Sequence, residues 1–266
     1  MNDSATAVAY VTGASRGIGR VLATQLARSG ARTVGFARPS DELTSLGDPD
    51  MAVVPIAMDV ADPASVSSAF SQAVAAVGPP TLLVTCAGSI GALGPLATVD
   101  QERWWQALTV DVLGTMLCAR AAMTLMLEQR AGRIVTVYSN LGDDGREHLS
   151  AFAAGKAAIA RLTETMATEL DGTGVLAVCV HPGFVRTSMT EHLADGAEGR
   201  RWLPTFGLRA AEHWGDGATA VGLIRRIGAR EADGLAGRVI HVGDDLQALT
   251  VACAGDPNLR RLRLRR

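Results

Sequence analysis

A short apolar run, Val8–Thr12, leads directly into the segment Gly13-Ala14-Ser15-Arg16-Gly17-Ile18-Gly19, and a helical pattern begins there. Glycines at these spacings let the backbone turn tightly and approach a bound group closely. Because the amide groups at the start of a helix attract anions, a strand, a glycine loop and a helix in this order are typical of a pyrophosphate cradle in a βαβ unit. A purely structural tight turn is the alternative interpretation.

The rest of the chain continues this alternation of apolar strands and helices. Continuous apolar strands separated by helices indicate a parallel sheet covered on both faces. We therefore predict a single α/β domain over residues 1–266, doubly wound, with a parallel sheet of about seven strands and helices on both faces. The predicted strands are Val8–Thr12, Arg32–Ala37, Val53–Met58, Thr81–Thr85, Arg133–Val137, Val175–Val180 and Arg238–Val242. The predicted helices are Ile18–Arg28, Ala64–Val77, Trp104–Gln129, Ala151–Leu170 and Gly217–Arg226.

Composition excludes several classes of partner. A net charge of −2 provides no general attraction to nucleic acid or to an anionic membrane. The sequence has no basic segment before the first strand and no long uninterrupted apolar stretch, so we expect a cytoplasmic protein without a membrane partner. The four cysteines are widely spaced and form no C-x-x-C pair, which predicts buried reduced thiols and no metal site.

Residues 187–214 do not fit the alternation of strands and helices. The segment carries glycines, a proline and several aromatic residues mixed with charges. Long segments of this kind between sheet elements are often lids or binding loops. We therefore predict a substrate loop or lid here, with Trp202, Phe206 and Trp214 as candidate pocket residues, and ordinary packing as the alternative.

Four motifs, taken together, resemble those of the short-chain dehydrogenase/reductase family, which has a Rossmann fold. They are the Gly-x-x-x-Gly-x-Gly loop after Thr12, Asp59-Val60 after the third strand, Ala87-Gly88 after the fourth, and Pro182–Thr187, which matches Pro-Gly-x-Val-x-Thr. The resemblance covers nearly the whole chain and implies a nicotinamide cofactor, a small-molecule substrate and a homodimer or homotetramer formed through the two long helices. The cofactor-binding residues that it implies are Gly13, Ser15, Arg16, Gly17, Ile18, Gly19, Arg38, Asp59, Val60, Ala87, Gly88, Lys156, Pro182, Gly183, Val185 and Thr187.

The end of the second strand bears on the choice of cofactor. An acidic residue there would accept hydrogen bonds from a ribose 2′-hydroxyl and repel a 2′-phosphate. This chain has Ala37 followed by Arg38, and Arg16 lies in the glycine loop. Two guanidinium groups can clamp a phosphate through charge-assisted hydrogen bonds, so NADP(H) is favoured over NAD(H). The alternative is that both arginines are solvated surface charges.

Lys156 is the only lysine, and every other residue of the 25 that make up Lys+Arg is arginine. Arginine can replace lysine as a surface charge, but not as a compact ammonium whose proton can be shared. A lone lysine therefore indicates a site where a guanidinium will not serve.

The family that the chain resembles uses a serine to orient the substrate carbonyl, a tyrosine as acid or base, a lysine to hold the nicotinamide ribose, and an asparagine to complete a proton relay. By resemblance, Ser139 takes the serine position and Lys156 the lysine position. Phe152 stands at the tyrosine position and Asp111 at the asparagine position, so two of the four roles have changed.

Phenylalanine keeps the ring of tyrosine but deletes the proton donor, so binding should survive better than turnover.

Other residues are candidates for the source of the missing proton. Tyr138 should pack into the sheet, His148 and Glu147 could lean inward from a loop, His181 could cap a strand end, and Asp111 could form an ion pair with Lys156. Three functions stay open: an NADPH-dependent carbonyl reductase acting on a small or medium lipophilic substrate, a non-redox cyclase, dehydratase or isomerase, and a silent NADP(H)-binding protein. The sequence does not separate a natural Phe152 from an engineered Tyr-to-Phe change.

Overall fold

The computed structural model describes residues 7–211, 214–215 and 217–263. Within these residues the chain forms one parallel seven-stranded sheet with the strand order β3-β2-β1-β4-β5-β6-β7. The strands are β1 (Val8–Thr12), β2 (Arg32–Ala37), β3 (Val53–Ala57), β4 (Leu82–Thr85), β5 (Gly132–Val137), β6 (Val175–His181) and β7 (Val239–His241). The predicted fold class is therefore confirmed, and each predicted strand agrees with the observed one to within a residue at either end.

Helices connect the strands. They are α1 (Gly17–Arg28), α2 (Asp41–Thr44), α3 (Pro63–Val77), α4 (Gln101–Leu108), α5 (Gly114–Gln129), α6 (Ser150–Glu169), α7 (Ser188–Asp195), α8 (Ala197–Trp202), α9 (Phe206–Ala211), α10 (Ala218–Gly228) and α11 (Leu246–Gly255). Short 3-10 turns cover Ser45–Gly47, Asn140–Gly142 and Asp233–Leu235.

The two faces of the sheet carry separate hydrophobic cores. On one face, α1, α10 and α11 pack through residues such as Leu22, Ile224 and Leu249. On the other face, α3, α5 and α6 pack through residues such as Phe70 and Met126. Side chains of β1 alternate between these cores, because successive residues of a strand point to opposite faces. This arrangement is the doubly wound architecture that the sequence predicts.

Several helices were not predicted. The helix predicted over Trp104–Gln129 is interrupted by a π-helical turn at Thr109–Leu113, which separates α4 from α5. Most of the segment predicted as a lid is helical, forming α7, α8 and α9, while residues 212 and 213 lie outside the described part of the chain. Helix α11 was also missed, because it is apolar nearly all round and gives no amphipathic signal.

The long helical segment Gln101–Gln129 is the one part of the described chain that is long and apolar enough to cross a membrane by length and composition. In its most apolar stretch, 44% of the residues are buried inside the fold. Core helices satisfy the same criteria of length and composition, so this finding is weak evidence for a membrane span. The four cysteines are free thiols, and three of them are buried as expected. Cys86 differs because it lies half-buried at the end of β4.

Candidate active site

Most of the predicted cofactor-binding residues lie in loops, or at the start of α1, at the edge where the parallel strands end, while Asp111, Phe152 and Lys156 lie on helical segments. The order of strands reverses between β1 and β4, and the helices α1 and α5 that follow them pack on opposite faces of the sheet. A crevice outside the carboxyl ends of the strands at such a point is the usual binding position in open α/β sheets.

The glycine loop fits tightly against the loop after β4. Gly13 has φ +66°, and a Cβ atom added there would lie 2.8 Å from the backbone nitrogen of Ala87. A Cβ atom on Gly19 would overlap the carbonyl oxygen of Gly13. The Ala87 N–H donates to Thr12 Oγ1 at 3.0 Å. Glycine is therefore required at both positions, and the fold brings the predicted Ala87-Gly88 segment beside the cradle.

The Pro182–Thr187 segment closes the other side of the glycine loop. A Cβ atom on Gly17 would lie 3.2 Å from Thr187 Cγ2. Thr187 caps α7 through a capping box, in which its side chain accepts from the Thr190 N–H. Gly183 adopts φ +73°, which permits the sharp turn after β6. Val185 is buried and forms a bridge to Gly215.

The loops after β2 and β3 form the far end of the crevice. Val60 packs against Gly114, where an added Cβ atom would lie 2.7 Å from Val60 Cγ2. Asp59 is exposed and accepts from the Ala61 N–H at 2.9 Å, so its carboxylate shapes its own turn. Arg16 and Arg38 are both exposed.

Arg20 is a structural residue of this region that the sequence reasoning missed. Its guanidinium donates to the carbonyl oxygens of Ser15 and Glu42, at 3.3 and 2.7 Å, and to Ser45 Oγ at 3.1 Å. It therefore ties the glycine loop to the turn after β2. The signal was faint, because an arginine in the first turn of a helix resembles an ordinary surface charge.

Asp111 and Lys156 form a buried ion pair. The π-helical turn places Asp111 inside the fold with 1% of its surface exposed, and Lys156 is 6% exposed. Asp111 Oδ2 lies 3.7 Å from Lys156 Nζ, and Asp111 Oδ1 accepts from the Ser89 N–H at 2.8 Å. Lys156 Nζ donates to the Val137 carbonyl at 3.3 Å. The pair that the sequence suggested is therefore present.

The same pair has unused hydrogen-bonding capacity. Burial raises the pKa of the Asp111 carboxyl, while the Lys156 ammonium and the Ser89 N–H oppose that rise. Asp111 Oδ2 has no hydrogen-bond partner among the described residues. Because the distance from Oδ2 to the ammonium exceeds normal hydrogen-bond length, both groups keep capacity for a further partner.

Ser139 follows β5 directly and begins the Asn140–Gly142 turn, where its Oγ accepts from the Leu141 N–H at 3.3 Å. The hydroxyl hydrogen is not used in that contact and is free to serve another acceptor. Phe152 lies in the first turn of α6, is 8% exposed, and has Lys156 Nζ 5.3 Å from its ring centroid.

Phe152 belongs to a small apolar cluster that joins three segments of the chain. We call this set of residues the Phe152 cluster. Its members are Leu93, Leu149, Phe152 and Leu193, with Ile90, Leu141, Met189, Trp202, Leu203 and Phe206 packed against them. The predicted pocket residues Trp202 and Phe206 therefore pack against the cluster that contains Phe152. Trp214 instead lines a separate hollow with Arg186, Glu191 and Leu208.

The other proton-donor candidates occupy different positions. Tyr138 is buried as predicted, and its hydroxyl donates to Asp143 at 2.8 Å. His181 ends β6, where its Nδ1 accepts from the Gly183 N–H at 3.2 Å, as expected for a capping residue. Glu147 is exposed to solvent, while the His148 ring packs 5.0 Å from Trp202 and so does lean inward.

Unpaired buried polar atoms gather at this edge of the sheet. The described chain has five such side-chain atoms, and Thr85 Oγ1, at the end of β4, and Asp111 Oδ2 are two of them. A buried polar atom without a partner requires an explanation such as a ligand, an ion or a water molecule. Together with a glycine cradle that side chains would fill, these atoms fit the pyrophosphate and ribose of a nicotinamide nucleotide.

Comparison with known proteins gives one consistent family. A model of the short chain dehydrogenase family matches residues 7–198. The short chain dehydrogenase mpl6 of Monascus purpureus is 36% identical over 201 residues, which cover 72% of this chain and 69% of that protein. The solved structure of an actinorhodin polyketide ketoreductase with NADPH aligns with a TM-score of 0.80 and 25% identity, over 92% of this chain and 99% of the other. A structure named ribose-5-phosphate isomerase, from Brucella melitensis 16M, aligns with a TM-score of 0.78 and 30% identity, over 96% and 97%.

Proposed function

Because the chain belongs to the short-chain dehydrogenase family, we propose that it is an NADP(H)-dependent oxidoreductase acting on a carbonyl or alcohol of a small or medium lipophilic substrate. The observation that carries this proposal is the buried pair of Asp111 and Lys156 beside the glycine cradle. A lysine that is 6% exposed, in a chain otherwise reliant on arginine, has no role in solubility. Its position suits a group that holds ribose hydroxyls.

The proposed cofactor roles are those that the family motifs give to these residues. Gly13, Ser15, Gly17, Ile18 and Gly19 would hold the pyrophosphate on the amide groups that begin α1. The adenine end would be held by Asp59 and Val60, and the nicotinamide end by Ala87, Gly88, Pro182, Gly183, Val185 and Thr187. When bound, the nicotinamide nucleotide supplies or accepts the hydride.

Arg16 and Arg38 would hold a 2′-phosphate, which makes NADP(H) the preferred cofactor. Both guanidinium groups are exposed, and the described chain gives neither of them an ion pair. We expect Arg38→Asp to weaken NADPH binding and to improve NADH binding relative to the unchanged chain, because a carboxylate repels the phosphate and accepts from the hydroxyl. Binding of each nucleotide is measured by quenching of protein fluorescence. Equal affinity for NADPH and NADH in the unchanged chain would contradict the assignment.

Among the described residues, the site has no evident proton donor for the alkoxide that forms when a hydride adds to the carbonyl. Ser139 can donate to the carbonyl oxygen, and the pair of Asp111 and Lys156 can exchange protons through water. Phe152 has no proton to give to the alkoxide that develops on hydride addition. Since a positioned acid contributes about 10²–10⁴-fold, turnover should be slow compared with binding.

The experiment that tests the proposal restores the missing donor. We expect Phe152→Tyr to raise the rate of NADPH oxidation about 100-fold or more over a panel of lipophilic ketones and aldehydes. Phe206→Tyr is a matched control, because it adds the same hydroxyl to the Phe152 cluster from α9 and should not raise the rate. Strong activity in both the unchanged chain and Phe152→Tyr would mean that another group supplies the proton.

A non-redox function is the second candidate. The absence of a donor at Phe152, together with the likeness at 30% identity to a structure named as an isomerase, favours it. NADPH binding without oxidation in either variant would support this candidate or a silent binding protein. Conversion of an added sugar phosphate, followed by NMR, would separate an isomerase from a silent protein.

The remaining parts of the proposal concern the lid and assembly. The segment 187–214 would act as the substrate lid, since its helices α7–α9 contribute Met189, Leu193, Trp202, Leu203 and Phe206 to the Phe152 cluster. We expect a homodimer or homotetramer in the cytoplasm, and Trp105, which is 65% exposed on α4, lies where such a contact would form.

A further inference from the structure

His148 occupies an unusual place beside the Phe152 cluster. It precedes Leu149, which is buried in that cluster, and its imidazole lies 5.0 Å from the indole of Trp202 on the lid. Its carbonyl oxygen accepts from the Gly94 N–H at 3.2 Å. The imidazole is therefore held between the loop after β5 and the lid, at the border of the apolar cluster.

Two features make histidine a costly residue at this position. Its backbone has φ +64°, a left-handed conformation that is uncommon for any residue other than glycine. Its Nδ1 atom is buried and has no hydrogen-bond partner within the described part of the chain. A buried polar atom left unpaired costs about 1–3 kcal/mol. An apolar ring such as phenylalanine could pack against Trp202 without leaving a buried polar atom unpaired.

The position of the unpaired nitrogen points to the substrate. The other two unpaired atoms at this edge lie elsewhere: Thr85 Oγ1 is at the end of β4, and Asp111 Oδ2 is beside Lys156. His148 instead lies beside Trp202 of α8, and among the described residues its Nδ1 is the one fully buried side-chain polar atom without a partner next to the Phe152 cluster.

We propose that His148 contacts the substrate and hydrogen-bonds a second oxygen atom, separate from the reacting carbonyl, on an otherwise lipophilic molecule. This inference rests on the proposed function and narrows its substrate class to carbonyl compounds with a further carbonyl or hydroxyl group. Ser139 serves the reacting oxygen, and His148 selects the second oxygen at the lid. Neutral imidazole can donate or accept at Nδ1, so either group is served.

The test compares two ketones with the same carbon skeleton, 2,4-hexanedione and 2-hexanone, with NADPH and the Phe152→Tyr chain. We expect the dione to have the lower KM. Adding His148→Phe, which keeps a ring against Trp202, should raise the KM for the dione about tenfold more than the KM for 2-hexanone, with kcat changed much less. His148→Asn tolerates the left-handed backbone and keeps a polar group, so it should recover part of the selectivity.

A second measurement does not depend on turnover. The ¹⁵N resonances of the His148 ring, assigned by comparison with His148→Asn, should shift when the dione is added to the NADPH complex and shift less with 2-hexanone. Glu147→Gln, at the exposed neighbouring position, is the control and should change neither readout.

The outcomes separate this inference from the proposed function. Turnover of both ketones with an unchanged KM ratio in His148→Phe would overturn the role of His148 and leave the oxidoreductase intact. Absence of turnover with a selective shift of the His148 resonances would support the contact and overturn the redox function. Absence of both responses would overturn the contact with this class of substrate.

Discussion

The stability of this protein should fall in mild acid because of one histidine pair. His181 ends β6, and its ring stacks on that of His241 with centroids 5.0 Å apart. Burial, followed by repulsion from His241, lowers the pKa of His181 from 6.5 to about 4. Asp143 opposes the shift, and Arg260 and Asp244 act on His241 from the neighbouring turn. The Nδ1 atom of His181 must also stay unprotonated to accept from Gly183.

The magnitude follows from linkage between protonation and folding. Between pH 6.5 and about 4 the unfolded chain binds a proton at His181 and the folded chain does not. Stability from this group is therefore complete above pH 6.5, declines as the pH falls, and is fully lost below about pH 4. Each pKa unit corresponds to about 1.36 kcal/mol, and the ring keeps some exposure, so we expect a loss of roughly 2–3 kcal/mol.

The assay is urea unfolding at a series of pH values from about 4 to 7.5, for the unchanged chain and His181→Asn. Asparagine can still accept from the Gly183 N–H but does not titrate. Carboxyl groups also titrate in acid, and they cancel in the difference between the two chains. As the pH falls, we expect the free energy of unfolding of the unchanged chain to decrease by roughly 2–3 kcal/mol more than that of His181→Asn. His192→Asn, at a more exposed histidine on α7, is the control. Parallel pH profiles for the unchanged chain and His181→Asn would refute the reasoning.

Two further predictions concern the cradle and the opposite edge of the sheet. Gly19→Ala should abolish NADPH binding and destabilise the fold by about 1–3 kcal/mol, because its Cβ would overlap the Gly13 carbonyl. Gly222→Ala, a helix position with open space, should be neutral or stabilising in the same fluorescence and urea assays. Asp233→Asn should cost about 1–3 kcal/mol in urea unfolding, because it removes the counter-charge from the buried guanidinium of Arg133 at 2.6 Å. Glu231→Gln breaks an exposed pair and should cost less than about 1 kcal/mol; equal losses would contradict the burial argument.

Local sequence patterns predicted most of the fold. The strands are continuous apolar runs and the glycine loop follows one of them, so their positions depend on neighbouring residues. Helix α11 and helices α7–α9 were missed for different reasons. Helix α11 lacks an amphipathic pattern, and α7–α9 are short helices whose stability comes from packing on the Phe152 cluster rather than from propensity.

The candidate site divides in the same way. Sequence motifs pointed to Lys156, Asp111 and Phe152, which the fold brings together. The role of Ser139 stays a prediction. The motifs were not enough to predict the π-helical turn that buries Asp111, since such a turn depends on what the helix packs against. Arg20 was not distinguishable from a surface residue, because the Glu42 carbonyl that it binds lies 22 positions away in the chain. His148 was a candidate from its loop position, but its packing against Trp202 depends on a residue more than 50 positions away.

The sequence by itself determined the sheet, the glycine cradle and the place of the lone lysine, because periodicity and glycine requirements are local properties of the backbone. Only the tertiary structure decided that the lysine faces a buried carboxylate, that Phe152 shares an apolar cluster with helices α7–α9, and that His148 keeps an unpaired nitrogen beside Trp202. Those features depend on burial, and burial is set by segments far apart in the chain.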